Sequence, residues 1–426
     1  MGSTRAAGTG DNRRHARIGS RRWVLSLAAL TGTTALSIDM SLPAQPTLVR
    51  ELSVSPDIAQ LTLGLFLAGF AVGQLVSGFL SDALGRRRVL LAGLAVYTVA
   101  GVACAGAPSI GLLLAARVAQ GVGSAAAPVI ARAMVRDTQP AAGAARMLST
   151  IMAVLALAPM IAPMIGGVLL AQLGWQAIFL MLAAIGVLFS ALAAFTLPET
   201  LPPERRIPLS LRAILAGFAR FFRARGTRVP TVLVCLSFAG QFAFIADSSF
   251  VLIDRFGVSP NNFGFYFAAT ALALMIGSIT GRRRLLRQPP AHVLAAGALT
   301  LCAGGLLVAL GVHLPALGRF GLIAPVLVYF FGIGLTSPSA TAIAMQPVPE
   351  IAGVASATIG ALTMLAGATS GYVTTHLGGD DPRILGLVMG GVGLVAAAVM
   401  LRAKLHGQTG TVSHLSRFDP ADRQDK

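Results

Sequence analysis

Asp39, Arg117 and Asp247 are ionisable side chains set deep inside long apolar stretches of this sequence. A charge at the centre of an apolar helix in a membrane costs about 2.5–3.5 kcal/mol on insertion scales, so each is expected to face the protein interior and to have a use. The chemistry open to them is proton carriage. Burial disfavours an ionised carboxylate and a nearby guanidinium favours it, so moving Arg117 relative to Asp39 would load and release a proton. Helical rise puts Asp39 about 24 Å, Asp247 about 27 Å and Arg117 roughly 20 Å from the same side. At this similar depth Asp39 is the expected ion-pair partner of Arg117, and Asp247 is the second candidate carrier. Plainer roles stand beside these: Asp39 as a helix-end aspartate capping the turn before Pro43, and Asp247 as a solvated rim residue.

A second group of residues suits a gate. Gly78-Phe79-Leu80-Ser81-Asp82-Ala83-Leu84-Gly85-Arg86-Arg87-Arg88 joins two apolar runs through a very tight turn. Glycine permits the turn and close helix approach, and arginines just beyond an apolar run hold that end on the cytoplasmic side. Further on, Pro159 and Pro163 remove backbone donors and bend their helix, while Gly166 and Gly167 allow close packing, which together make a hinge. Phe66, Phe70, Gln74, Gln120, Gln241, Phe242 and Phe244 mix aromatics with sparse amides, a lining that suits amphipathic small molecules. Core packing is the commoner fate of residues at such spacings.

The elements that position these groups follow from composition. The 426 residues are 55% hydrophobic and 12% charged, with a mean hydropathy of +0.76, too apolar for a soluble globule. Twelve runs long enough to cross the bilayer are expected at 23–43, 58–81, 89–107, 110–134, 147–172, 175–197, 229–253, 262–281, 291–313, 320–344, 352–376 and 383–402. They are continuously apolar and do not alternate, which predicts helices and not barrel strands. Of the 33 Lys and Arg residues, 28 fall at one set of ends and loops and 4 at the other, so both termini are expected in the cytoplasm. This distribution by loop also explains the net charge of +17 without nucleic acid, since no basic patch interleaves with aromatics.

The expected organisation is a basic cytoplasmic tail over 1–22, a six-helix half over 23–197, a cytoplasmic linker over 198–228, a second six-helix half over 229–402, and a tail over 403–426. The linker carries an amphipathic stretch around Leu211 to Phe222 that is able to lie on the membrane surface, although a plain tether is the simpler reading. Arg21-Arg22 before the first run faintly resembles an export signal, but the run is too long, contains Asp39 and lacks a small-x-small cleavage site. Cys104, Cys235 and Cys302 sit in apolar runs at no metal-like spacing, so neither a disulfide nor a metal is expected. No Ser/His/Asp set or paired carboxylates gather at one face, which argues against an enzyme.

The halves repeat weakly. Asp39 and Asp247 fall near the ends of runs 1 and 7, Ser55-Pro56 and Ser259-Pro260 start runs 2 and 8, and Gly85-Arg86-Arg87-Arg88 recurs as Gly281-Arg282-Arg283-Arg284. Gly121-Val122-Gly123 echoes Gly332-Ile333-Gly334. In the second copy of the arginine turn the acid is missing, because Gly277-Ser278-Ile279-Thr280-Gly281 precedes the arginines, so a second latch is expected to be weak or held by lipid phosphates.

The pattern G-x-x-x-D-x-x-G-R-R around Asp82 resembles the signature loop of the major facilitator superfamily. Asp39-Met40-x-Leu42-Pro43-Ala44-x-Pro46, Arg117-x-x-Gln120-Gly121, Ala131-Arg132-Ala133-x-x-Arg136-Asp137 and Phe242-x-Phe244-Ile245 resemble its Bcr/CflA-type drug resistance transporters, across roughly residues 23 to 402. The resemblance implies an all-α integral membrane protein of the major facilitator fold, with twelve transmembrane helices in two pseudo-symmetric halves. It implies proton-driven efflux of small amphipathic drugs (bicyclomycin, chloramphenicol or sulfonamide types) by alternating access in a bacterial inner membrane, with no cofactor and a functional monomer; a proton-coupled metabolite carrier is the alternative. It also implies that Asp82 holds the end of helix 11 and that Arg86 pairs with Asp137 to lock the cytoplasmic side. Pro159-x-x-x-Pro163-x-x-Gly166-Gly167 is similar to the antiporter motif of helix 5, with Ala162 where a glycine is usual.

Overall fold

The computed structural model describes residues 18–206, 211–378 and 381–405. Most of both expected tails, and positions 207–210 of the linker, lie outside the described residues. Among those described, twelve helices are long and apolar enough to cross a membrane: α1 (Arg21–Glu51), α2 (Pro56–Leu84), α3 (Arg86–Ala105), α4 (Ile110–Thr138), α5 (Arg146–Leu173), α6 (Trp175–Thr196), then α8 (Arg225–Arg255), α9 (Pro260–Leu285), α10 (Pro290–Gly311), α11 (Phe320–Met345), α12 (Pro349–Gly378) and α13 (Pro382–Ala403). A shorter helix, α7 (Leu211–Arg223), sits between the sets of six. All twelve expected spans are present as helices.

Boundaries follow local chemistry. Ser20 opens α1 by accepting the Trp23 amide, and Ser55-Pro56 and Ser259-Pro260 place proline in the first turn of α2 and α9, where its missing N–H costs nothing. Gly85 (φ +101°) and Gly174 (φ +82°) are single-residue turns between α2 and α3 and between α5 and α6. Only glycine adopts this backbone cheaply, which is why these connections are so short.

The largest departure from expectation is α1. It was expected to end near residue 43, but it runs 31 residues to Glu51. The helix is interrupted at Gly32 and again between Asp39 and Gln45, where Leu42–Ala44 forms a 3-10 turn. Pro43 cannot donate to the Asp39 carbonyl one turn before it, so the ladder breaks there and resumes beyond. Asp39 therefore lies at an internal break, with the seven-residue helical segment Gln45–Glu51 still to come, not at the end of the span.

The two sets of six pack alike. In the first, α4 lies against both α2 and α3, and α3 against α6; in the second, α11 lies against α9 and α10, and α10 against α13. Small residues permit this. A Cβ on Gly121 would strike the Phe66 carbonyl of α2, and one on Gly334 the Leu274 carbonyl of α9. The equivalent glycines are thus Gly121 and Gly334, so the echo of Gly121-Val122-Gly123 in Gly332-Ile333-Gly334 is out of register by two residues. The halves meet where α2 lies on α12 and α5 on α9, and where the break in α1 touches α8. Large apolar side chains such as Val99, Leu188, Phe195, Leu299 and Leu387 face outward, as a surface solvated by lipid requires.

Gly121→Ala is expected to lower stability by about 1–3 kcal/mol through overpacking against backbone. Thermal unfolding in mild detergent measures this, with Gly111→Ala, whose Cβ meets nothing within 4 Å, as the unchanged control.

Candidate functional site

Arg117 is completely buried, and its guanidinium is satisfied without a carboxylate. Nε donates to the Thr62 carbonyl at 3.0 Å, Nη1 to Gln120 Oε1 at 2.7 Å and Nη2 to the Ser37 carbonyl at 3.4 Å. The cation also lies 4.3 Å from the Phe66 ring centroid and 5.6 Å from that of Phe179, each an added attraction in a desolvated place. Four helices, α1, α2, α4 and α6, therefore converge on one side chain. The Ser37 hydroxyl is shared with the Tyr97 hydroxyl of α3 at 2.8 Å, which brings in a fifth.

The expected Asp39–Arg117 ion pair is absent. The Ser37 side chain faces Tyr97 within the first half; at 100° per residue Asp39 projects from nearly the opposite side of α1, away from Arg117. Leu42, just beyond the break, belongs to the core cluster built mainly from the second half, as do Phe242 and Phe244. Asp39 is only 5% exposed, and among the described residues no hydrogen bond or ion pair reaches it. Asp247 is also fully buried, in α8, which corrects the rim reading.

The hinge residues border this site. Gly166 lies so close to the Met40 carbonyl that a Cβ would collide with it, and Gly167 meets the Pro260 carbonyl of α9. The glycine pair therefore fits α5 between the break in α1 and the second half. Pro163 and Ala162 are buried, and Pro159 stands in the first turn of the second segment of α5, Ala158–Leu173.

Phe66 is the floor under Arg117, and Gln120 is its ligand. Phe244 stacks with Phe267 and meets Phe330 edge-on at 5.9 and 5.6 Å between ring centroids, so it belongs to the core of the second half. Phe70 is buried. Phe242 packs on Gly367, Gln74 reaches Gly360, and Gln60 lies beside Gly371, all on α12; Gln241 is half-buried. The Oε1 atoms of Gln45, Gln60 and Gln74 and the Thr34 hydroxyl are buried without a partner among the described residues, leaving hydrogen-bonding capacity along α1 and α2 for water or a ligand.

At the arginine-rich end, Arg86 Nε binds Asp137 at 2.9 Å, and its Nη1 binds Ser81 at 2.8 Å and also Asp82. The Arg86–Asp137 pairing is as the resemblance implied. Asp82 is not engaged with α12 among the described residues; Arg86 of its own loop takes its carboxylate. Gly78 lies beside Val129, and Arg87 donates to the Ala194 carbonyl at 2.7 Å.

Glu199, which the sequence reading passed over, completes the loop. Its carboxylate accepts the Arg86 and Arg87 amides at 2.9 and 3.1 Å, capping the first turn of α3, while Thr200 donates to Asp137 at 3.3 Å. At the opposite end two pairs span the halves: Arg50 with Asp254 at 3.2 Å, and Asp57 with His376 at 2.9 Å. Neither was legible, because the partners lie 204 and 319 residues apart and each looks like an ordinary loop residue. The one available signal was the acid of Glu199 at the start of the linker.

Twelve spanning helices in two like-packed sets, with a buried acid and a buried cation inside the spans and tight glycine contacts where the sets meet, are the build of a polytopic carrier. The sequence profile of the Major Facilitator Superfamily matches residues 27–371, and the chain belongs to that family of transporters. It is 35% identical over 351 residues to an uncharacterized MFS-type transporter, YdgK, of Bacillus subtilis, covering 80% of this chain and 87% of that protein. It is 31% identical to a bicyclomycin resistance protein homolog of Haemophilus influenzae, covering 86% and 92%, and 27% identical to multidrug resistance protein D of Escherichia coli, covering 87% and 93%. Among solved structures, a D-xylose-proton symporter superposes with a TM-score of 0.69 at 18% identity, covering 89% of this chain and 97% of the symporter. That likeness concerns the fold.

Arg117→Lys is expected to destabilise by about 3 kcal/mol or more, since an ammonium cannot serve three divergent acceptors and stack on Phe66; chemical denaturation in detergent reads it. Glu199→Ala should cost about 1–2 kcal/mol, the worth of a lost helix cap, and speed proteolysis of the segment after α6.

Proposed function

We propose that this transporter exports small amphipathic drugs, of bicyclomycin, chloramphenicol or sulfonamide type, in exchange for protons. It works as a monomer in a bacterial inner membrane, with its arginine-rich end and both termini in the cytoplasm. The observation that carries the proton part is Asp39: a buried carboxyl with no partner among the described residues, at a helix break, on the side of α1 opposite Ser37. An ionised carboxylate in such a place costs several kcal/mol, so the site tolerates charge only when the cavity opens to water. Alternating access supplies that opening first on one side and then on the other, which makes Asp39 the proton carrier and Asp247 the reserve. Arg117, locked into backbone carbonyls, does not swing toward Asp39; it is a fixed positive field in the first half. The drug part is supported by likeness to the resistance proteins and by the spare amide oxygens of Gln45, Gln60 and Gln74.

The present arrangement suits the state closed to the outside. Arg50–Asp254 and Asp57–His376 tie the halves at that end, and the Arg86 cluster at the other end is contained within the first half. Proton entry and drug release require the outer pairs to part. One charge crossing 100 mV supplies about 2.3 kcal/mol, enough for modest uphill export.

In liposomes holding the purified protein under an imposed pH gradient, a panel of such antibiotics and dyes should evoke proton flux, and Asp39→Asn should abolish it while leaving the protein folded. Flux that survives in Asp39→Asn and disappears in Asp247→Asn would transfer the role to Asp247. No response to any drug, from protein of native stability, would overturn export and favour a metabolite carrier.

A further inference from the structure

The helix between the halves is not a plain tether. At 100° per residue, α7 divides into three faces. Gly217 and Phe221 form the docked face: Gly217 lies against Val354 of α12, and Phe221 is 1% exposed in the core cluster of the second half. Leu215 and Phe222, seven residues apart, form an outward apolar face, 57% and 49% exposed. Arg212, Ala216, Ala219, Arg220 and Arg223 form the third. The end of the helix is secured, because the Thr227 hydroxyl binds the Phe221 carbonyl at 2.9 Å and Arg228 Nε binds that of Phe222 at 3.2 Å.

Between the third face and the turn before α12 lies an open groove of about 440 Å³, lined by Ala216, Ala219, Arg220, Arg223, Pro347 and Val348. Its floor is apolar and its rim cationic. Arg220 is held at the rim by Glu350 at 3.2 Å, while Arg212 and Arg223 are exposed and have no acidic partner among the described residues. Alanines at 216 and 219 leave room where longer side chains would fill the groove.

We propose that this groove is a binding site for the headgroup of an anionic phospholipid. The phosphate sits between Arg223 and Arg220, Arg212 lies farther along the same face, and the first carbons of the chains lie on Pro347 and Val348, while Leu215 and Phe222 enter the acyl boundary. An amphipathic helix with separate apolar and cationic faces takes this interfacial position, and each arginine near an anionic surface contributes about a five-fold gain in affinity. The other end of the linker is fixed by Glu199 and Thr200 to the first half. The lipid therefore anchors the second half to the membrane surface while the first half moves against it. The inference stands whatever the transported substrate is.

The test uses the full chain. Native mass spectrometry with phosphatidylglycerol titrated into detergent should show a bound lipid whose affinity falls about five-fold in Arg223→Gln and about 30-fold in Arg212→Gln/Arg223→Gln, with phosphatidylcholine binding unchanged. Equal phosphatidylglycerol binding by wild type and the double variant would overturn the site. Displacement of the lipid by millimolar inorganic phosphate would overturn the lipid as its occupant in favour of a free anion. In a second measurement, Leu215→Trp should be quenched by lipids brominated in the acyl chain and Ala219→Trp should not, the buried Trp23 and Trp175 giving a constant background. Equal quenching at both positions would overturn the interfacial orientation.

Discussion

The first half is organised around a cation that cannot leave. A guanidinium removed from water needs its donors satisfied, and Arg117 satisfies them with two backbone carbonyls and one amide oxygen from three helices, above an aromatic ring of α2. Backbone acceptors cannot rotate away as side chains can, so the positions of α1, α2 and α4 are set relative to one another by the desolvation cost of one charge. Gly121, one turn along from Arg117, lets α4 come close enough to α2 for those bonds to form. The same geometry decides the environment of Asp39. Because the Ser37 side chain faces Tyr97 within the first half, Asp39, two residues on, projects from nearly the opposite side of α1.

The two ends of the molecule are built differently. At the arginine-rich end, Arg86 gathers Asp82 and Asp137, and Glu199 caps the helix that follows, so that the loop, the end of α4 and the start of the linker form one unit within the first half. The second half lacks this unit. Its corresponding arginines, Arg282 to Arg284, lie in the last turn of a continuous α9 and are exposed; with Ser278 in place of the acid there is nothing to draw the chain into a matching turn. At the far end, Arg50–Asp254 and Asp57–His376 bridge the halves. An exposed ion pair such as Arg50–Asp254 contributes little to stability, which suits a contact that opens in the proposed cycle.

The membrane character, the twelve helices and the tight arginine turn were legible because each rests on short-range facts: twenty apolar residues, a glycine at positive φ, arginines beside an apolar run. The Arg86–Asp137 contact was legible through resemblance. Other readings failed for reasons of geometry. Phe66 and Phe244 were candidates for cavity lining with core packing as the commoner expectation, since an aromatic on an apolar helix reads the same whether it faces a ligand, a buried cation or another ring. The extent of α1 was misjudged because two prolines look like an ending, whereas the chain crosses the break and resumes.

The sequence by itself determined which segments cross the bilayer and which residues carry charge within them, because hydrophobic length and the cost of buried charge are properties of single helices. Only the tertiary structure decided partnership. Whether Arg117 meets Asp39 depends on how α1 is rotated against α4, and that rotation is set by close packing at Gly121 and Gly166 and by carbonyls that any residue type would supply. Backbone groups leave no mark in the order of side chains, so the acceptors of the buried cation, and with them the solitude of Asp39, emerge only when the helices are together.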